Sequence, residues 1–276
     1  MSSRRVAVAL FFVIVVISVV YIGALSKKSE RLVVYAGAAA APVYREAVEV
    51  FQRETGVRVE LRLGGSGALL SQLLVARDGD LYVPGSQEFL WRAAQLGVLD
   101  SSRRPVVLAY LVPALIVAKG NPKNITSIED LARPGVSIAI ADPEAVCVGL
   151  YAKEILERIG LWSEASKNIK VYASSCEHLA SLVTTGAVDA VLGWHVFHFW
   201  DPNATELVLL RPGEAARIGY IAGAVTAYSK NKELAEEFLK FLSSEKMAEV
   251  WRRYGYLPTL EEALKLAPGA TAEELP

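Results

Sequence analysis

Only two cysteines, Cys147 and Cys176, and three histidines occur among the 276 residues. That is too few for a disulfide scaffold or a cysteine-rich zinc module. His195 and His198, taken with the cysteines, are the one conceivable metal grouping. The run His195-Val196-Phe197-His198 lacks the usual zinc-ligand spacing, so no metal is expected. A charge excess is missing too, since 29 basic residues stand against 30 acidic ones for a net charge of −1. Nucleic acid, which needs a basic footprint, is excluded as a partner. No Gly-x-Ser-x-Gly elbow, no phosphate loop ending in Gly-Lys-Ser/Thr and no His-Glu-x-x-His pair is present, and the chain reads as a non-enzyme. Asp80, Asp142 and Asp189 are isolated turn carboxylates. Internal repeats and low-complexity linkers are absent as well.

One long apolar run does exist. Arg4 and Arg5 precede an uncharged stretch of 20 residues, Val6 to Leu25, with Lys27 and Lys28 after it. At a rise of about 1.5 Å per residue it is about 30 Å long, the thickness of a bilayer's hydrocarbon core. The cationic flank predicts that the N-terminus stays inside and that everything after residue 26 is exported. Residues 1–27 are therefore expected to be a membrane anchor or a signal. A cleaved signal needs an apolar core of only about 7–15 residues and a small-residue cleavage site, so the length favours the anchor. Both cysteines fall in the exported part, where a disulfide is permitted.

The rest alternates. Arg31 to Tyr35 reads as a strand, Pro42 to Thr55 as an amphipathic helix with Val43, Ala47, Val50 and Phe51 on one face, and Val57 to Leu63 as a second strand. A helix from Ala68 to Val75, a strand Asp80 to Val83 and a helix Gln87 to Leu96 extend the pattern. After the apolar run Val106 to Val117 it restarts, with strands at Val136 to Ile140, Ile169 to Tyr172 and Ala190 to Leu192 and helices at Gly149 to Ile159 and Glu177 to Thr184. Such alternation predicts an α/β protein whose parallel sheets are covered on both faces. Two successive units imply two lobes, with Val106 to Val117 and Tyr220 to Tyr228 as crossover strands. Lys232 to Tyr254 is expected to be a helix pair returning to the first lobe, and the tail after Leu266 to fray.

Three strand-to-helix turns hold the functional signal: Val34 to Pro42, Leu63 to Leu69 and Ala141 onward through Cys147-Val148-Gly149. None of these turns contains a Lys or Arg. The first backbone N–H groups of a helix have no partner within it and sit at the positive end of its dipole, so they bind an anion unaided. Three uncharged turns of this kind point to a small-oxyanion receptor.

On these residues the chain resembles the molybdate/tungstate-binding receptors of ABC importers, a branch of the two-lobed extracellular solute-binding proteins. The resemblance is strongest at Asp142-Pro143-Glu144 through Gly149-Leu150-Tyr151-Ala152-Lys153-Glu154, with Leu161-Trp162 following. It recurs at Val33 to Ala41, Gly65-Ser66-Gly67, Gly79 to Val83 and Arg253-Tyr254-Gly255-Tyr256. It implies a two-lobed periplasmic-binding-protein-like α/β fold, each lobe a mostly parallel sheet flanked by helices, preceded by an N-terminal transmembrane helix. Lobe 1 would hold residues 32–112 and 221–276, and lobe 2 residues 113–220. It also implies a monomer on the extracytoplasmic face of the membrane, partnered by an ABC permease and needing no cofactor besides its ligand, molybdate or tungstate.

By position, the resemblance places the ligand against Ala38, Ala39, Ser66 and Gly67 from one lobe and Cys147, Val148, Cys176 and Trp194 from the other. Ala39 stands where serine is frequent, and Trp194 where the family has a tyrosine; an indole donates but cannot accept. In the archaeal branch carboxylates complete a higher coordination of the metal, and Asp142 and Glu144 are the nearest candidates. The same carry-over makes Cys147 and Cys176 neighbours and implies a disulfide between them. Plainer readings stand beside each assignment. Ser66 can be an N-cap, Ala38 to Ala41 a packed helix start, the cysteines small buried hydrophobes, and Trp194 and Trp200 core residues. Alternatives for the whole chain are a membrane-anchored oxyanion sensor, a receptor for sulfate or phosphate, and a hydrolase or transferase on the same fold.

Overall fold

The computed structural model describes residues 31–276, so the apolar run Val6 to Leu25 expected as an anchor lies outside the described residues. Among the described residues no helix is long and apolar enough to cross a membrane. In chain order the elements are β1 (Arg31–Gly37), α1 (Ala41–Thr55), β2 (Arg58–Gly64), α2 (Ser66–Ala76), β3 (Leu81–Val83), α3 (Gln87–Gln95), β4 (Val106–Leu111) and β5 (Pro113–Ala118). They continue with β6 (Ile138–Ala141), α4 (Cys147–Arg158), α5 (Trp162–Ala165), β7 (Ile169–Ala173), α6 (Cys176–Thr184), β8 (Ala190–Trp194), α7 (Val196–Trp200) and β9 (Thr205–Leu209). The chain closes with β10 (Gly219–Val225), α8 (Lys232–Leu242), α9 (Glu245–Arg253) and α10 (Leu260–Leu266). Local chemistry sets the ends of α1. Pro42 sits in its first turn, where a missing N–H is harmless, and Gly56 closes it in the left-handed region at φ 72°. Its buried face comprises Val43, Tyr44, Ala47, Val48 and Phe51; Val50, expected there, lies at the half-buried margin.

Two five-stranded sheets form, in the orders β2-β1-β3-β10-β4 and β7-β6-β8-β5-β9. They share one plan. In the first, β1 runs parallel to β2 and β3, while β10 is antiparallel to β3 and β4. In the second, β6 runs parallel to β7 and β8, while β5 is antiparallel to β8 and β9. Four of the five strands in each sheet therefore run the same way, as expected of mostly parallel sheets, and the exception is the strand arriving from the other half, β10 or β5, which enters against the direction of its neighbours. Val106 to Val117 is two strands rather than one, broken at Val112, with β4 in the first sheet and β5 in the second. The return crossing is made by residues 210–218, ahead of β10, which lies wholly in the first sheet. The largest apolar core runs through both halves, joining Val34, Leu69 and Tyr82 to Ala141, Val148 and Leu179.

The C-terminal tail, expected to fray, is docked. Thr271 exchanges backbone hydrogen bonds with the return segment, Ile218 N–H to its carbonyl at 2.9 Å and its own N–H to Ala216 at 3.0 Å. Ala267 and Ala270, small enough for close approach, are buried against Val112 and Ile218.

His195 fastens this crossover region. Val112 N–H donates to its Nδ1 at 3.1 Å, its own N–H donates to the Val112 carbonyl at 2.9 Å, and Nε2 lies 2.9 Å from the Gly255 carbonyl. Because Nδ1 accepts, the single proton of the neutral ring sits on Nε2 and donates to Gly255. Burial lowers its pKa from 6.5 to about 4. The folded state therefore takes up this proton less readily than the unfolded one. Its contribution is intact above pH about 6.5, is lost progressively down to pH about 4 and totals about 3 kcal/mol. Urea unfolding across that window should show the acid-side slope in the wild type and a flatter one in His195→Gln; equal slopes would exclude the assignment.

Candidate functional site

The parallel strands of both sheets discharge their C-terminal ends toward one another, and the helices that follow begin there. From the first half the turn Gly37-Ala38-Ala39, the turn Gly64-Gly65-Ser66 and Gly85 line a small cavity of about 10 Å³; from the second come Val146, Cys147 and Cys176. Ser66, Cys147 and Cys176 are the first residues of α2, α4 and α6. Three first-turn amide sets therefore meet at one point, the arrangement that favours an anion. No lining residue is charged.

Neighbouring side chains hold these loops in place. Tyr82 donates its hydroxyl to the Ser66 carbonyl at 2.9 Å, and Tyr256 donates to the Ala39 carbonyl, so both carbonyls are occupied. The Ser66 hydroxyl, 3% exposed, accepts from Gly85 N–H at 2.9 Å, which leaves its own proton free to donate. Gly37 is required by proximity, and Gly85 faces the cavity wall. A Cβ on Gly37 would lie 3.0 Å from Gly85 Cα, and one on Gly85 would lie 3.3 Å from Cys147 Sγ and 3.5 Å from Ser66 Oγ.

Cys147 and Cys176 are neighbours, as the resemblance implied, but both are free thiols rather than a disulfide. Pairing with the Cys176 thiol lowers the pKa of Cys147 despite its burial, while the same pairing together with burial raises that of Cys176 well above the usual thiol range. The cavity wall therefore carries one thiol disposed to ionise and one disposed to keep its proton.

Of the eight residues assigned to the ligand, Ala38, Ala39, Ser66, Cys147 and Cys176 line the cavity. Gly67 and Val148 occupy the second positions of α2 and α4, just behind it. Trp194 does not line it. Its ring lies edge-on to Tyr151 at 4.8 Å and packs over Gly219, and its buried indole N–H has no hydrogen-bond partner. Asp142 accepts from Glu144 N–H at 2.9 Å, a turn role away from the cavity lining. His198 bonds Thr205 at 3.1 Å, and among the described residues no cluster of His, Cys, Asp and Glu is placed to hold a metal.

Two contributors were missed from sequence. Gly85 sits just after β3, a strand that was read from sequence, but nothing in the turn itself marked an approach to the other loops. Gln87, fully buried, donates to the Tyr151 hydroxyl at 2.7 Å and accepts from Tyr220 N–H at 3.1 Å, tying α3 to α4 and β10. A polar residue opening a helix right after Gly85-Ser86 was the only available signal.

Comparison with known proteins agrees with this architecture. The molybdate-binding protein ModA of Escherichia coli is 24% identical over 238 residues, 82% of this chain and 88% of that one. Among solved structures, the periplasmic molybdate-binding protein of Azotobacter vinelandii superposes with a TM-score of 0.70 at 18% identity, covering 82% of this chain and 98% of that one. The sulfate-binding protein SubI of Mycobacterium tuberculosis gives 0.72 at 17% identity, with coverage of 88% and 93%. The family model described as bacterial extracellular solute-binding protein matches residues 32–257, and the chain belongs to that family.

Proposed function

We propose that this protein is the extracytoplasmic receptor of an ABC importer and that it closes around a tetrahedral oxyanion, molybdate or tungstate. The observation that carries the reading is the uncharged cavity between the two sheets, walled by the first residues of three helices and by the Ser66 hydroxyl. Such a site neutralises a dianion with fixed backbone dipoles and needs no cation. No carboxylate lines it, so it has no strong acceptor for the proton that phosphate carries near neutral pH. The similarity to ModA supports molybdate specifically.

In this reading residues 32–112 and 221–276 form one lobe and 113–220 the other, with an N-terminal anchor holding the receptor beside its permease. A tetrahedral oxyanion needs more room than about 10 Å³. Binding therefore requires the lobes to part and reclose, moving about the crossings at Val112 and 210–218. The ligand contacts would be the amides at Ala38, Ala39, Gly67, Cys147, Val148 and Cys176 with the Ser66 hydroxyl.

Calorimetric titration with molybdate, tungstate, sulfate and phosphate at matched ionic strength tests this. Saturable binding of the first two, with phosphate far weaker, is the expected result; preference for sulfate would change the ligand, and no heat from any of the four would overturn the reading. Ser66→Ala removes one donor to a charged ligand, worth about 1.5–3 kcal/mol, and should weaken binding about 10- to 100-fold.

A further inference from the structure

Arg217 lies in the return segment just before β10. Its guanidinium reaches into both halves. Nε and Nη2 bond the Glu154 carboxylate of α4 at 2.8 to 3.0 Å, a two-pronged pairing, while Nη1 bonds Glu88 of α3. Nη1 also lies 3.3 Å from Glu273 and 3.4 Å from the Tyr151 hydroxyl, and the guanidinium carbon sits 4.2 Å from the Tyr151 ring centre. The arginine side chain is 16% exposed while Glu154 and Glu273 are 43% and 45% exposed, so the contacts are strong at low salt yet open to screening from the carboxylate side. α3 packs on β10 of the first sheet, and α4 on β6 and β8 of the second. The arginine thus bridges elements that domain opening would separate.

The charge count gives the bridge a direction. Three carboxylates, Glu88, Glu154 and Glu273, surround this one cation. Without it, Glu88 and Glu154 would face each other across the two halves with no bonded cation between them, Arg92 being the other basic residue that lines this cleft. The network also reaches the cavity. Ser86, which follows Gly85 of the cavity wall, donates its hydroxyl to the other Glu88 oxygen. We propose that Arg217 is an ionic latch, holding the two halves closed through Glu88 and Glu154 and joined to the cavity wall by Ser86. The latch is independent of which anion the cavity takes.

The two native thiols report on closure. Both are buried in the cavity wall, so their reaction with an aromatic disulfide reagent requires the cleft to open. The full chain, reduced and freed of reductant, is mixed with the reagent in the absence of any oxyanion, and the released aromatic thiolate is followed. Wild type should react slowly at about 50 mM salt and faster at about 500 mM, as screening weakens the latch. Arg217→Met should react about tenfold faster at low salt and lose most of the salt dependence. Arg217→Lys, which keeps the charge but not the fork, should fall between them. Glu154→Gln, which leaves Arg217 and Glu88 in place, should shift the rate the same way by less, and it carries the test if Arg217→Met fails to fold. Folded variants reacting at the wild-type rate with the wild-type salt response would overturn the latch. A faster rate with unchanged salt response would also overturn it, assigning Arg217 to packing alone. Because no anion is added, a failure of the oxyanion reading leaves these outcomes untouched.

Discussion

Gly85→Val should abolish oxyanion binding, lowering affinity by at least about 100-fold, while the protein remains folded. The added Cβ would point at Cys147 Sγ, Ala39 Cβ and Ser66 Oγ, 3.3 to 3.5 Å away, all of them groups that wall the cavity. That first carbon is near ordinary contact distance. The two methyls beyond it occupy space the ligand needs, and the backbone of Gly85 is not in the left-handed region that would exclude a side chain. Overpacking costs about 1–3 kcal/mol of stability, whereas the loss of binding comes from steric exclusion. Titration calorimetry paired with urea unfolding separates the two effects. A valine variant that binds at the wild-type level would show that the ligand sits elsewhere.

Gly149→Ala should be the most destabilising single-atom addition in the second half, by about 3 kcal/mol or more. Gly149 lies in the first turn of α4, where a Cβ would overlap the Ala141 carbonyl oxygen and come within 2.7 Å of its carbon and 2.8 Å of the Asp142 carbonyl carbon. These are backbone atoms at the end of β6 and cannot swing aside as a side chain would. The helix start would have to lift off the strand end, carrying Cys147 and Val148 with it. Urea denaturation should show a lower midpoint, and affinity for any anion at this site should fall in the same variant. An alanine variant of wild-type stability would mean that the close approach of α4 to β6 is not a constraint on the fold.

Much of the fold was legible because the chain obeys local rules. The period of α1, its proline start and its glycine stop mark one helix by themselves, and the strand-turn-helix order located α2, α4 and α6 to within a few residues. The exceptions to the common strand direction were not legible. The antiparallel placement of β5 and β10 depends on where the chain crosses between halves, and a single residue, Val112, makes one of those crossings inside an unbroken apolar run. β9, with half-buried residues at three of five positions, lacked the alternation of a surface strand and the continuity of a central one. At the site, serine and glycine turns were readable from helix-start chemistry. Gly85 and Gln87 were not, since their roles arise from approach across the two halves. Trp194 was assigned by position alone, and its packing on Tyr151 and Gly219 is a matter of volume that no motif expresses.

The strand order also dictates a sequence of assembly. β4 has one neighbour in its sheet, β10, and β10 in turn separates it from β3. As the chain is made, β4 appears well before its partner and can only wait, while residues 113–209 complete a whole sheet of their own. The inserted half can therefore mature first, and the outer half is sealed only when Gly219–Val225 slots between two strands made long before. Until then an apolar strand is left with both edges unpaired, open to pairing with another chain.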